Sequence, residues 1–156
     1  MIDLHKMSET EYRQYRKTEI IRYAQMNVDS GKWEPSNSYR RAELELDFFL
    51  PLHLPEEGMF FLSIVDTVTG NTVGTLCYGN LPNQPTDEYY IYDIRISDEH
   101  KRKRYGQMAF NKLEEKLRNI GIKKIILDVS VNNEAAIQFY QNLGYAITNY
   151  RMKKTL

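Results

Sequence analysis

One α/β domain of the α+β kind, a mixed, mostly antiparallel sheet flanked by helices, is what the sequence predicts. Three observations carry that expectation. Two apolar runs, Met59–Asp66 and Thr72–Gly79, flank Thr67-Val68-Thr69-Gly70-Asn71, the pattern of a β-hairpin. Tyr89–Ile96 and Lys123–Val131 read as strands with a long helical stretch between them, a crossover that implies a parallel pair. Further amphipathic stretches before the hairpin and after the crossover supply helices to cover the sheet. A length of 156 residues suits a single domain, 1–156, able to bury roughly two-thirds of its unfolded surface.

Taken in order, Met1–Met7 alternates weakly and is a candidate edge strand. Ser8-Glu9-Thr10-Glu11 matches a capping box, so a helix starts there and runs to about Val28. It carries Tyr12, Tyr15, Ile20, Tyr23 and Ala24 on a mixed face, and Asp29-Ser30-Gly31 stops it. After a loop around Trp33, the spacing of Tyr39, Ala42, Leu46, Phe49 and Leu50 predicts a second helix over 38–50, ended by Pro51 and Pro55. The hairpin follows, then an irregular loop, Asn80–Glu88, with Pro82 and Pro85. Beyond the strand at 89–96, apolar residues at Tyr105, Ala109, Leu113, Leu117 and Ile120 mark one buried helix face. Lys123–Val131 is rich in branched residues and reads as a buried strand. Asn133-Glu134-Ala135-Ala136 opens a short helix that Gly144 ends, and Tyr145–Leu156 is expected to return as one or two terminal strands.

Composition removes several function classes. Lys+Arg and Asp+Glu number 21 each, so no global field recruits nucleic acid or an anionic membrane. The single basic run, Lys101–Arg104, is too short for the distributed phosphate contacts that nucleic-acid binding needs. Cys77 is the only cysteine, which excludes an intrachain disulfide and a cysteine-based zinc site, and its apolar strand context predicts an inert buried thiol. His5, His53 and His100 are scattered, so no metal is assigned. No apolar run approaches the ~20 residues of a membrane span, and residues 1–12 carry no signal-peptide core, so the expected location is cytoplasmic.

The most informative stretch is Tyr90–Gly121. Between its strand and its helix lies His100-Lys101-Arg102-Lys103-Arg104-Tyr105-Gly106-Gln107. A turn feeding a helix start leaves backbone N–H groups without intrahelical partners, and the helix dipole adds positive potential there. Such a start is a ready site for phosphate. Gly106 lets a bulky anion approach, and the basic side chains add attraction.

These residues resemble the coenzyme A motif of the GNAT superfamily of N-acetyltransferases: Gln or Arg, two residues, Gly, one residue, Gly or Ala. Aligned on Tyr105-Gly106-Gln107, the motif covers Lys101 to Gly106, with Lys101 replacing Gln/Arg and Arg104 replacing the first Gly. A second stretch, Val129–Tyr145, is similar to the other signature of that family. There Asn133, Ala136, Tyr140, Leu143, Gly144 and Tyr145 fall at the family's spacing. The resemblance covers about residues 59–156 and, more loosely, the N-terminal half. It implies one acyl-CoA N-acyltransferase domain that moves an acetyl group from acetyl-CoA to a primary amine of a small molecule, protein or peptide. It also implies an acyl-CoA slot where the strands at 90–96 and 123–131 splay apart. Pantetheine would bond the backbone of Ile94, Arg95 and Ile96, and the pyrophosphate would rest on amides of Lys101, Arg102, Lys103, Arg104, Tyr105, Gly106 and Gln107. A backbone N–H near Ile96 would stabilise the oxyanion. A homodimer is compatible with the resemblance, since dimers are frequent among similar proteins.

Individual roles stay open at this point. Tyr140 matches the tyrosine that protonates the departing thiolate, or packs as a core aromatic beside Phe139. Asp93, the only carboxylate in Tyr90–Ile96, is the candidate base; an ion pair with Arg95, Glu88, or a water chain are the alternatives. Strict alternation puts Asp93 on the face of Ile91 and Arg95, opposite Tyr90, Tyr92, Ile94 and Ile96. Asn133 serves as helix N-cap, pantetheine contact, or both. Trp33, Tyr39 and Tyr90 either wall an acceptor cleft or pack. A non-catalytic acyl-CoA-binding module is the competing function, and the acceptor is not identified.

Overall fold

A computed structural model describes residues 1–80, 83 and 85–156, so Pro82 of the expected 80–88 loop lies outside the described residues. Residues 1–126 and 127–156 form two compact units, each described by itself.

In the first unit β1 (Ile2–Lys6), β2 (Met59–Asp66), β3 (Thr72–Gly79), β4 (Glu88–Ile96) and β5 (Lys124–Ile126) form one sheet in chain order. The first three junctions are antiparallel and β4–β5 is parallel, as the hairpin and the crossover predict. The register of β5 runs from Glu88↔Lys124 to Tyr90↔Ile126, so β5 is shorter than the expected 123–131 strand. Helix α1 (Glu9–Asp29) starts at the predicted capping box: the Glu11 amide donates to Ser8 Oγ at 3.3 Å and the Ser8 amide to Glu11 Oε2 at 2.8 Å.

One face of the sheet packs α1 and α2 (Ser38–Leu46). Tyr12, Tyr15, Ile20, Ala24, Trp33, Ala42 and Leu50 close over Phe61 and Cys77. Each buried aromatic or branched chain contributes about 1.5–3 kcal/mol. Helix α2 ends four residues before the predicted limit. The Phe49 and Leu50 amides bond back to Leu46 O, and α1 then captures the next carbonyls. Arg16 Nε donates to Leu50 O at 2.9 Å, and the Tyr12 hydroxyl donates to Pro51 O at 2.6 Å. Trp33 is buried, edge-on to Tyr23, with the Arg41 guanidinium 4.7 Å from its ring, so it packs rather than lines a cleft. Cys77 is buried as expected, and burial pushes its thiol well up.

Leu62, Ile64 and Leu76 alternate to the other face, and α3 (Tyr105–Asn119) buries Ala109, Leu113 and Leu117 of the predicted stripe together with Phe110, whereas Ile120 follows the helix and is exposed. Its Lys112 reaches Ile2 O at 3.0 Å and Asp3 at 2.8 Å. That ammonium, first, holds the Asp3 carboxyl down at about 2.

In the second unit α4 (Glu134–Asn142) is capped by Asn133, whose Oδ1 accepts from the Ala136 amide at 3.2 Å, and Gly144 follows at φ 93°. No strand forms within residues 127–156, so the expected terminal strands at 145–156 are absent from this unit. A strand is defined by a partner, and none lies within these thirty residues. Among the described residues no helix is long and apolar enough to cross a membrane.

Arg104 precedes α3 with φ 64° and ψ 11°, a left-handed conformation that costs an L-residue about 1–2 kcal/mol. Arg104→Gly should therefore raise the unfolding free energy by about 1 kcal/mol, read as a higher urea midpoint. Arg104→Ala keeps the penalty and should move it by less than about 0.5 kcal/mol. Equal midpoints for the two variants would mean that the conformation carries no cost here.

Candidate active site

Strand β4 is bulged. Its register with β3 pairs Cys77 with Asp93 but Tyr78 with Ile91, which leaves Tyr92 as an extra residue. An unpaired residue breaks the two-residue alternation, so side chains beyond it change face. Asp93 and Arg95 therefore share the α1 side with Cys77, and Ile91 lies opposite with Tyr78. This corrects the strict alternation expected from the sequence. Tyr92 joins the α1–α2 core, with Tyr90 4.9 Å and Phe49 5.6 Å from it between ring centroids.

The bulge delivers Asp93 into a cluster of polar groups. The Tyr15 hydroxyl donates to Asp93 Oδ2 at 3.2 Å, and Arg95 Nη2 lies 3.5 Å from Oδ1. Arg95 also holds Glu19 with two contacts, 2.7 and 3.3 Å, and Arg22 reaches the same carboxylate at 2.6 and 3.0 Å. Burial first, then the like charge of Glu19, raises the Asp93 carboxyl above the usual aspartate range; Arg95, Tyr15 and Arg22 oppose that rise. A carboxyl so raised is a stronger proton acceptor than an exposed aspartate. Glu88, an alternative base, is engaged by Lys124 at 2.6 Å.

At its far end β4 offers main-chain groups. The Ser97 amide donates to Val73 O at 3.0 Å. In an antiparallel ladder bonded and non-bonded pairs alternate, which turns the main chain of Arg95 toward β3 and those of Ile94 and Ile96 toward the opposite edge. On that edge, within residues 1–126, the register with β5 stops at Tyr90. Gly74 keeps this end closely paired, since a Cβ there would collide with Arg95 O and Ile96 Cδ1.

The loop after β4 is built to expose amides. Ser97 Oγ donates to Val73 O at 2.9 Å and lies 3.0 Å from His100 Nδ1, above a single 3₁₀ turn, Asp98–His100. Arg102 and Arg104 both take positive φ, 62° and 64°. Among the described residues no side chain caps α3, and its first back-bonded amide is Met108, to Arg104 O at 3.0 Å. The amides of Tyr105, Gly106 and Gln107 precede it and have no intrahelical acceptor. The Tyr105 hydroxyl ties the helix start to Asp66 at 2.6 Å. Arg102, Lys103 and Arg104 are exposed, and Lys101 pairs with Asp98 at 2.6 Å.

Asn133 and Tyr140 belong to the second unit. Asn133 is the N-cap, and Tyr140 packs its ring against Phe139 and Tyr145, at 5.4 and 5.8 Å. Tyr39 is exposed, and no group of three metal-ligating side chains occurs among the described residues.

Sequence reasoning missed Glu19 and Arg22. Their spacing from Tyr15, four and seven residues along α1, was the available signal, but charges at helical spacing usually mark a solvated face.

The chain compares clearly with known proteins. The pattern of the Acetyltransferase (GNAT) family matches residues 14–145. YdgE of Bacillus subtilis, an uncharacterized N-acetyltransferase, is 29% identical over 98% of this chain and 97% of its own length. The crystal structure of YycN from the same organism is 28% identical and superposes with a TM-score of 0.83, covering 100% of this chain and 99% of that one. An aminoglycoside acetyltransferase from an uncultured soil metagenomic sample, 21% identical with a TM-score of 0.59 over 100% of this chain and 99% of its own, shares the fold. With the family pattern spanning most of its length, this chain belongs to the GNAT family of acetyltransferases.

Proposed function

We propose that the protein transfers an acetyl group from acetyl-CoA to a primary amine by direct attack, on a small molecule or on a protein or peptide. The observation that carries this reading is the start of α3: an uncapped helix end, behind a left-handed Arg104, with three amides free of intrahelical bonds and exposed basic side chains beside them. Main-chain donors at a helix start suit a pyrophosphate, and Arg104 removes none of them. The turned-out groups of Ile94 and Ile96 suit pantetheine added along the edge of β4 as a further strand, with the Ile96 N–H near the carbonyl oxygen.

Acetyl-CoA supplies the thioester. The chain's own groups supply positioning and proton transfer. An amine arrives as an ammonium and must lose a proton before it attacks; Asp93, with its raised carboxyl, accepts that proton directly or through water. Tyr140 carries the proton that the departing sulfur takes up. A phenol near 10 can donate to a thiolate whose thiol lies near 8.5 once the two are held in contact. Asn133 combines the cap of α4 with a pantetheine contact.

Calorimetric titration with acetyl-CoA, and with desulfo-CoA and ATP for comparison, tests the donor. Micromolar binding of acetyl-CoA and none of ATP is expected; no binding of acetyl-CoA would end the reading. Release of coenzyme A with a member of an amine panel then separates an enzyme from a module that only binds acyl-CoA. With an active amine, Tyr140→Phe should keep the ring packing against Phe139 and Tyr145 and lower kcat by roughly 10²-fold. Asp93→Asn should cost about the same at neutral pH and abolish the acidic limb of the kcat/KM profile, which lies above the ordinary aspartate range in the native protein. Unchanged turnover in either variant would remove that residue from proton transfer.

A further inference from the structure

The cluster beside Asp93 contains a second carboxylate, Glu19, that the proposed chemistry does not use. Glu19 lies on α1 with only 8% of its side chain exposed. Buried carboxylates are costly unless paired, and Glu19 is paired twice, with Arg95 and with Arg22. Arg95 stands between the two carboxylates. Its contacts with Glu19 are 2.7 and 3.3 Å, whereas its approach to Asp93 is 3.5 Å. The geometry is lopsided. The guanidinium faces Glu19 with two donors and reaches Asp93 with one long contact.

We propose that Glu19 is a positioning residue for Asp93: by engaging Arg95 and Arg22 in ion pairs of its own, it keeps both guanidinium charges off the Asp93 carboxyl. The groups facing Asp93 come from three elements, Tyr15, Glu19 and Arg22 of α1, Arg95 of β4 and Cys77 of β3. Two cations and two carboxylates balance in charge, but the pairing is unequal. Without Glu19, the bidentate face of Arg95 would turn to Asp93 and hold it as a tight, weakly basic carboxylate. With Glu19 in place, Asp93 keeps a tyrosine donor and a distant guanidinium, and stays free to take a proton.

The inference rests on the reading of Asp93 as proton acceptor, and it makes a prediction of opposite signs. Glu19→Gln keeps the shape and removes the charge that claims Arg95, so Asp93 should ionise at lower pH. Arg22→Gln removes a cation that 47% exposure leaves easily spared, so Asp93 should ionise at higher pH. The carboxyl resonance of Asp93, assigned with Asp93→Asn and followed by carbon NMR through a pH titration of the ligand-free protein, reads both shifts without any appeal to activity. Thermal melts identify a variant that fails to fold; should Glu19→Gln do so, the upward shift in Arg22→Gln remains as the test.

In turnover, the acidic limb of kcat/KM should move with the NMR midpoint. The plateau in Glu19→Gln should fall about threefold or more, as expected of a weaker base, with the KM for acetyl-CoA unchanged. Shifts of the same sign, or none in a folded variant, would overturn the role of Glu19. NMR midpoints that move in opposite directions while the rate profile stays fixed would support Glu19's hold on Asp93 and instead remove Asp93 as the base.

Discussion

One extra residue in β4 decides which side chains of that strand meet α1. Tyr92 has no counterpart on β3, and the side chains after it exchange faces. Asp93 is thereby moved under α1, where Tyr15 can reach it, and Arg95 is moved to where Glu19 can hold it. A regular strand of the same sequence would keep Ile91 with Asp93 on one face and leave Tyr90 and Tyr92 on the other. The bulge also lets the apolar Ile91, Ile94 and Ile96 share the α3 side without a break.

The cluster that results is polar but satisfied. Tyr15, Glu19, Asp93, Arg22 and Arg95 all have partners within 3.5 Å. Such an arrangement fixes geometry more than it adds stability, because desolvating each charge offsets most of the Coulomb gain. Its value lies in keeping one carboxyl less committed than its neighbours. The loop after β4 follows a similar logic on the main chain: two arginines in left-handed conformations and a helix without a side-chain cap leave amides unclaimed.

The family assignment and the site geometry speak to different questions. Membership of the GNAT family of acetyltransferases follows from the pattern over residues 14–145. The donor, the acceptor and the roles of Asp93 and Tyr140 belong to the proposal, supported by the helix start, by the edge of β4 and by the raised carboxyl of Asp93. Aromatic rings near the bulge, Tyr90, Tyr92 and Phe49, pack on one another, and Trp33 is sealed beneath Arg41. Of the three aromatics that suggested an acceptor wall, Trp33 is buried, Tyr90 packs on Tyr92, and Tyr39 is exposed.

Much of the fold was legible from local pattern. The hairpin limits 59–66 and 72–79 match the sequence reading residue for residue, because strand alternation and turn chemistry are both short-range. The capping box at Ser8, the stripe of α3 and the glycine after α4 are local signals too, and the two motif segments brought the family into view. Other features were decided only by tertiary structure. The bulge at Tyr92 depends on how β4 is registered against β3, which no residue of β4 announces. The early end of α2 depends on α1 capturing the carbonyls of Leu50 and Pro51. The burial of Glu19 and Arg16 depends on partners 76 and 34 residues away. Arg104 reveals its left-handed backbone only in space, since nothing in an arginine asks for it. The sequence by itself set which elements form, because propensity and periodicity act over a few residues. Tertiary structure decided which side chains meet, because register and face are properties of pairs of elements and not of either one alone.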